Sequence, residues 1–325
     1  MKRRNFWTGI CVSLGMLALI LDGRTAIEGA RQGIGLCLRT VIPSLFPFFV
    51  LSILLTSSLL GSSLIVLRPL GRLFGMPEGA ESLLIPAFLG GYPVGAQNVA
   101  VAFRNGQLTK PEAERLLSFC SNAGPAFLFG MAASMFPRRW MAWALWGIHI
   151  AGALFASRVI PEKSTAPVRL TKTSPHSPSS ALNTAIQVMA TVCGWVVLFR
   201  VLLAFLKRWI FWILPTAAQV AITGILELSN GCCELLAVPD VSARFCICSG
   251  LLAFGGLCVT MQTVSVTAGL SLKPYFWGKL LQTLFSLALA ALMAYGVWLP
   301  FGALSIGALV IKLQKRGSFS KVFGV

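Results

Sequence analysis

The chain has 325 residues, 56% of them hydrophobic and only 11% charged, and its 27 Lys and Arg outweigh 10 Asp and Glu to leave a formal net charge of +17. Soluble domains carry roughly 25% charged residues, so this composition excludes a water-soluble enzyme or binding domain and implies a polytopic membrane protein. The basic residues fall at segment ends and in short loops, with no basic helix or aromatic-basic platform, which argues against a nucleic-acid partner and for orientation signals and contacts with anionic membrane lipids.

Met1-Lys2-Arg3-Arg4 precedes the apolar run Trp7 to Leu21. No small-x-small cleavage site follows, so residues 1–24 read as a retained N-terminal membrane helix. From Ala26 to Arg39, small and apolar residues (Ala26, Ala30, Gly33, Cys37) recur at helical spacing with Glu28, Arg31 and Arg39 between them. That pattern predicts an interfacial helix leading into a span, Val41 to Leu60, kinked by Pro43 and Pro47. After Arg68 and Arg72 come two interrupted segments, about Ser82 to Phe103 and about Glu114 to Phe136, and then a plain span from Trp140 to Val159. Residues 161–180, PEKSTAPVRLTKTSPHSPSS, are rich in Ser, Thr, Pro and Lys and read as a polar linker. Beyond it lie Leu182 to Leu206, Trp209 to Leu236, Cys246 to Leu270, Tyr275 to Trp298, a short apolar piece from Pro300 to Ile311, and a basic tail over 312–325.

These segments predict an all-α polytopic membrane protein of about eight hydrophobic segments. They fall into two halves, 25–160 and 181–311, with the same order of parts. Each half has a long span, a Gly-interrupted segment (around Gly91 to Gly95; around Glu227 to Gly231), a short polar turn with an arginine (Arg115; Arg244), and a Cys-Ser pair opening a second Gly-rich segment (Cys120-Ser121; Cys248-Ser249). The order of parts carries the repeat; residue identity between the halves is poor. The positive-inside rule places the N-terminus, linker and tail on the cytoplasmic side, which demands an even number of crossings per half and makes one of the broken segments re-entrant.

Chemistry-bearing motifs of enzymes are missing. The 2 histidines, His149 and His176, lie in an apolar span and in the linker, and no paired carboxylates, nucleophile elbow or phosphate loop occurs. The 9 cysteines include no C-x-x-C and read as buried free thiols. The chain is therefore expected not to be an enzyme and to use no cofactor or metal, and for His149 a hydrogen bond between helices is the expected role. A homo-oligomer stays open.

The informative residues are those that interrupt helices. Glycine in a helix interior costs about 1 kcal/mol and proline about 3 kcal/mol relative to alanine, and each backbone group left unpaired in lipid costs several more. Broken backbone survives at membrane depth where it lines a polar cavity or is buried in protein, and paired broken segments in corresponding positions point to a transporter's substrate site. In LGGYPVGAQN, Gly90, Gly91 and Gly95 surround Tyr92-Pro93 and precede Gln97 and Asn98. An unwound binding element is the expectation, with close helix packing as the alternative. FCSNAGP contributes Ser121, Asn122 and Gly124. Past the linker, LELSNG places Glu227 among apolar residues beside Ser229, Asn230 and Gly231. An acid at a helix centre costs roughly 2.5 to 3.5 kcal/mol, so Glu227 is expected to face a cavity and bind a substrate donor or a coupling proton, or else to pair with a base such as Arg200. Ser249 and Gln262 complete the candidate set, with Glu234 and Thr263 behind them.

GGYPVGAQ, then LTKPEAERLL, then FCSNAGPAFLFG together resemble the sporulation integral membrane protein YlbJ family, part of the wider group of nucleoside-recognition or Gate domain membrane proteins, over about Gly33 to Leu270. The resemblance implies endospore formation in a Gram-positive bacterium, location in its cell membrane or in a mother-cell-derived spore membrane, and movement of dipicolinic acid, a planar dianion. On that footing the half-helix N-termini near Gly91 and Gly124 and the amides of Asn98 and Asn122 would receive its carboxylates, with Arg115 or Arg244 assisting its approach. Ser121 stands where a second amide would be expected, which leaves room for another solute such as a nucleoside. The function expected is a gradient-driven transporter for a small polar or anionic solute; the alternative is a non-transporting Gate-fold protein that assembles a spore-maturation complex.

Overall fold

The computed structural model describes residues 2–59, 65–161 and 177–295. The basic tail, the piece from Pro300 to Ile311 and most of the linker, His176 included, lie outside the described residues. Among the described residues the regular elements are all helical. α1 (Lys2–Leu21), α2 (Gly23–Leu36) and α3 (Ile42–Leu59) open the chain, a π-helical turn (Cys37–Val41) joining the last two, and α4 (Arg68–Leu73) follows. Then come two interrupted pairs, α5 (Leu84–Phe88) with α6 (Val94–Arg104) and α7 (Lys110–Leu117) with α8 (Pro125–Gly130), before the long α9 (Arg139–Val159). Past the linker, the long α10 (Pro178–Trp209) leads to the pairs α11 (Thr216–Leu226) with α12 (Leu228–Glu234) and α13 (Val241–Phe254) with α14 (Gly256–Val266), and then to α15 (Lys273–Ala294). A long helix, two interrupted pairs and a long helix thus occur in that order on each side of the linker.

Among the described residues, 5 helical stretches are long and apolar enough to cross a bilayer: Gly23–Leu55, Arg139–Val159, Pro178–Trp209, Val241–Val266 and Lys273–Ala294. Val12–Leu21, Pro125–Met135 and Thr216–Leu226 are apolar but shorter. The surface is the reverse of a soluble protein's. Ile20 and Trp212 are each 76% exposed, while Asn122, Thr223 and Gln282 are fully buried. Apolar side chains outside and polar ones inside are what a hydrocarbon solvent selects. The chain is an integral membrane protein.

The sequence predicts an interfacial helix followed by a kinked span, but the structure runs Gly23–Leu55 as one helical stretch. Two local causes account for it. A Cβ on Gly29 would stand 3.0 Å from Val201 Cα and one on Gly33 would stand 2.9 Å from Val197 Cα, so these glycines let α2 lie backbone-to-backbone along α10. The ring of Pro43 would collide with the carbonyl four residues back, that of Arg39, and the wide turn Cys37–Val41 relieves the ladder at that point.

α15 packs against both α9 and α13. It touches both regions of the chain because small residues admit it: a Cβ on Gly152 of α9 would stand 3.1 Å from Gln282 Cγ, and a Cβ on Gly250 of α13 would stand 3.1 Å from Leu287 Cγ. Closer still, Gly278 of α15 lies against the backbone carbonyl of Ser118.

Candidate functional site

Four helix interruptions converge in the interior. In the first, α5 ends at Phe88 and α6 begins at Val94, with Gly91 in the left-handed region at φ 76° and a cis Tyr92–Pro93 peptide between them. In the second, α7 stops at Leu117 and α8 starts at Pro125. The two gaps are in contact: a Cβ on Gly124 would stand 3.0 Å from the Cα of Gly91 and 3.2 Å from the carbonyl oxygen of Leu89. Gly95 seats α6 on the Cys120 carbonyl at a distance no side chain would allow. Glycine here serves close backbone approach as well as interruption.

The third gap is the single extended residue Glu227, at φ −145°, between α11 and α12. Its carboxylate accepts the Ser229 N–H at 3.0 Å, the Asn230 N–H at 2.7 Å and the Asn230 side-chain amide at 2.6 Å. It is therefore the N-cap of α12, satisfying amides that α12 leaves open at its start. The pairing with Arg200 is indirect. Arg200 donates to Asn230 Oδ1 at 2.8 Å and to Gln32 Oε1 at 2.6 Å, so the base reaches the acid through an amide. In the fourth gap, between α13 and α14, Gly255 and Gly256 both take left-handed φ values, 83° and 85°. A Cβ on Gly256 would stand 3.1 Å from the Gly224 carbonyl oxygen, which brings the fourth gap onto the third pair.

Between the gaps lies a cleft whose polar wall is Tyr92, Glu227, Ser229 and Gln262, with Gly124 backbone beside them and Val41, Val192 and Val196 opposite. Its volume is about 40 Å³, a few times the roughly 10–15 Å³ that one water needs. In this conformation the cleft is part-open and has room only for water-sized occupants.

A second polar cluster adjoins it, centred on a lysine within an otherwise apolar run. Lys279 of α15 is 1% exposed. Its ammonium donates to Tyr92 Oη at 2.9 Å, to Gln282 Oε1 at 3.0 Å, to the Ala253 carbonyl at 3.3 Å and to the Ser121 carbonyl. It also stands 4.8 Å from the centre of the Tyr92 ring. Tyr92 Oη in turn donates to the Leu252 carbonyl at 3.1 Å. One turn on, Gln282 donates to Asn122 Oδ1 at 3.0 Å and to the His149 carbonyl at 3.2 Å, and His149 Nε2 accepts the Ala123 N–H at 3.1 Å. The first, second and fourth gaps are thus all tied to α15.

Comparison with known proteins bears on the whole chain. No family profile matches it. Over 330 residues it is 26% identical to the sporulation integral membrane protein YlbJ of Bacillus subtilis (strain 168), covering 87% of this chain and 80% of that protein. The chain is YlbJ-like. No solved structure matches.

In this YlbJ-like chain the predicted residues separate into groups. Tyr92, Gly124, Glu227, Ser229 and Gln262 line the cleft. Gly90, Gly91 and Pro93 form the backbone of the first gap rather than a wall of the cleft, Gly95 lies in the first turn of α6, and Asn98 bonds back to the Val94 carbonyl at 2.9 Å. Ser121 and Asn122 belong to the Lys279 cluster, Asn122 also donating to the Phe119 carbonyl at 2.7 Å. Asn230 bridges Glu227 and Arg200, and Gly231 packs on Gly224. Ser249 donates to the Ser286 carbonyl at 3.1 Å, a contact of α13 with α15 away from the cleft. Lys279 and Gln282 are the residues missed. The available signal was a lysine and a glutamine three apart inside the apolar run YFWGKLLQTLF.

Proposed function

We propose that the chain is a gradient-driven transporter of a small polar or anionic solute with a membrane role in sporulation, dipicolinate being the solute that the YlbJ resemblance implies. What carries the proposal is one narrow cleft walled by interrupted segments from both sides of the linker: Tyr92 and Gly124 from before it, Glu227, Ser229 and Gln262 from after it. The matching order of elements on each side supports two repeat halves that rock about this cleft. Glu227 already fills the N-terminal amides of α12, so this wall offers a solute an acceptor. A donor is close by: the Gln262 amide donates to the Cys258 thiol at 3.4 Å, a weak acceptor that a carboxylate or ring nitrogen would displace. A cleft of about 40 Å³ admits such a solute only when the gaps part.

Vesicles carrying this protein alone test the proposal, with dipicolinate and a nucleoside compared as solutes. Glu227→Gln and Asn122→Ala, at unchanged expression, are expected to abolish solute movement. Wild-type rates in both variants would sink the site assignment and favour a non-transporting role in assembling a spore-maturation complex.

A further inference from the structure

We infer that Lys279 is a proton-binding coupling site, its ammonium acting as a tethered coupling cation that holds the helix gaps together when protonated and frees them when it loses its proton. The inference rests on the transport proposal above and adds the identity of the coupling ion.

The surroundings of Nζ are those of a metal-free cation site rather than of an ion pair. An ammonium has three N–H donors, yet four oxygens face this one, all neutral: a phenol, a side-chain amide and two backbone carbonyls. The ion pairs among the described residues are Lys110–Glu114, Arg200–Glu234 and Lys207–Glu234, and Lys279 takes part in none of them. The two carbonyls are the significant pair. Ser121 belongs to the second gap and Ala253 to the end of α13 at the fourth, so each is backbone freed by an interruption, of the kind that coordinates coupling cations in transporters. A structural lysine in a membrane interior is expected to pair or to snorkel; this one is fully enclosed and faces only neutral oxygens.

The positions of the acceptors give the charge its mechanical meaning. Ser121 and Tyr92 come from before the linker, Ala253 from after it, and Lys279 links them at sequence separations of 158, 187 and 26 residues. Loss of a proton breaks one Nζ–H bond and passes the proton to water admitted on one side. The neutral amine keeps two donors for four oxygens and no charge to attract the carbonyls, so the ties between gaps weaken together. Reprotonation from the other side restores them. The titratable side chains facing the site are Tyr92 from the first gap, Cys120 from the second gap and His149 from α9; α13 contributes the Ala253 carbonyl. A lysine suits this role because it can give up its charge, whereas an arginine in the same place cannot.

The test follows internal pH with a trapped dye in vesicles bearing the full chain while dipicolinate or a nucleoside is added outside. Wild type is expected to move protons with solute, and to do so without sodium. Lys279→Gln is expected to slow solute movement at least tenfold and to leave the remainder without protons. Lys279→Arg, which keeps the cation but not its release, is expected to abolish proton movement as fully. Wild-type solute movement that carries no protons, or that requires a sodium gradient, overturns this inference and leaves the transport proposal standing. Restoration of wild-type proton and solute movement by Lys279→Arg overturns it as well, since a purely structural tether would be rescued by that change. No solute movement in wild type under any gradient overturns both. Should Lys279→Gln fail to fold, Lys279→Arg together with the wild-type proton and sodium measurements still decides the matter.

Discussion

Arg115 and Lys279 are both buried cations answered by backbone carbonyls, and the difference between them separates scaffold from working part. Arg115, 7% exposed, donates to the carbonyls of Gly75 at 2.6 Å, Ser157 at 3.0 Å, Phe74 at 3.4 Å and Ile160 at 3.4 Å. All of these acceptors lie before the linker, and none is in a helix gap. Lys279 reaches across the linker and takes one carbonyl from the second gap and one from the last turn of α13 beside the fourth. A guanidinium holds its charge at every accessible pH and suits a permanent rivet. The ammonium stands where the segments would have to separate.

The largest expected effect puts this contrast at risk directly. Arg115→Ala leaves at least two close acceptors, the Gly75 and Ser157 carbonyls, without a donor. At 1–3 kcal/mol for each orphaned buried group, stability should fall by on the order of 4 kcal/mol. Lys279→Met also orphans carbonyls, but it removes the burden of a desolvated charge, and the net loss should be about 1 kcal/mol. Thermal unfolding of the purified variants in detergent checks the ranking. Equal losses would make Lys279 a rivet too and dissolve the distinction.

An intermediate effect joins the two regions. Ser118, whose hydroxyl donates to the Arg115 carbonyl at 2.6 Å, presents its own carbonyl to Gly278, the residue before Lys279. A methyl group there has backbone on the facing side and nothing flexible to displace, so Gly278→Ala should cost about 1–3 kcal/mol by overpacking. It should also lift α15 from the second gap and lengthen the reach from Lys279 to Ser121. If the variant matches wild type in both unfolding midpoint and transport rate, the close approach of α15 to Ser118 is not needed to hold the lysine in place.

How much of this was legible in the sequence follows from the range of the causes. Glycine and proline act on their own backbone, so the gaps at Gly91 and Asn122–Gly124 could be read from a few neighbouring residues, and Glu227 was conspicuous as an acid among apolar residues. The fourth gap stood in the sequence as AFGGL, but two adjacent glycines also fit helix packing, and only their φ values distinguish an interruption. Lys279 was harder to read, for a different reason. Four residues past the start of an apolar run, it resembles an interfacial anchor that snorkels to water. Its significance lies in acceptors up to 187 residues away, which no local pattern encodes. Arg115 misled in the opposite sense: a polar turn with glutamates reads as surface, while carbonyls 40 and 42 residues distant take it inside. α2 read as interfacial because its charges were visible and its contact partner, α10, was not.

Arg200 supplies the smallest effect and a third grade on the same scale. It is charged like Arg115 and leads toward a site residue like Lys279, yet 18% of its side chain is exposed and it lines an open basin with Arg31 and Arg39. Its bonds to Asn230 and Gln32 can be taken over by water, and Glu234, 3.8 Å from it, keeps Lys207. Asn230 in turn keeps its place through two bonds to Glu227. Arg200→Ala should therefore change stability by about 1 kcal/mol or less, less than Arg115→Ala by a wide margin, as unfolding in detergent at moderate salt would register. A loss as large as that of Arg115→Ala would mean that the cap at Glu227 depends on the arginine behind it. Exposure would then no longer set Arg200 apart from Arg115, and the Glu227 end of the cleft would have its own rivet.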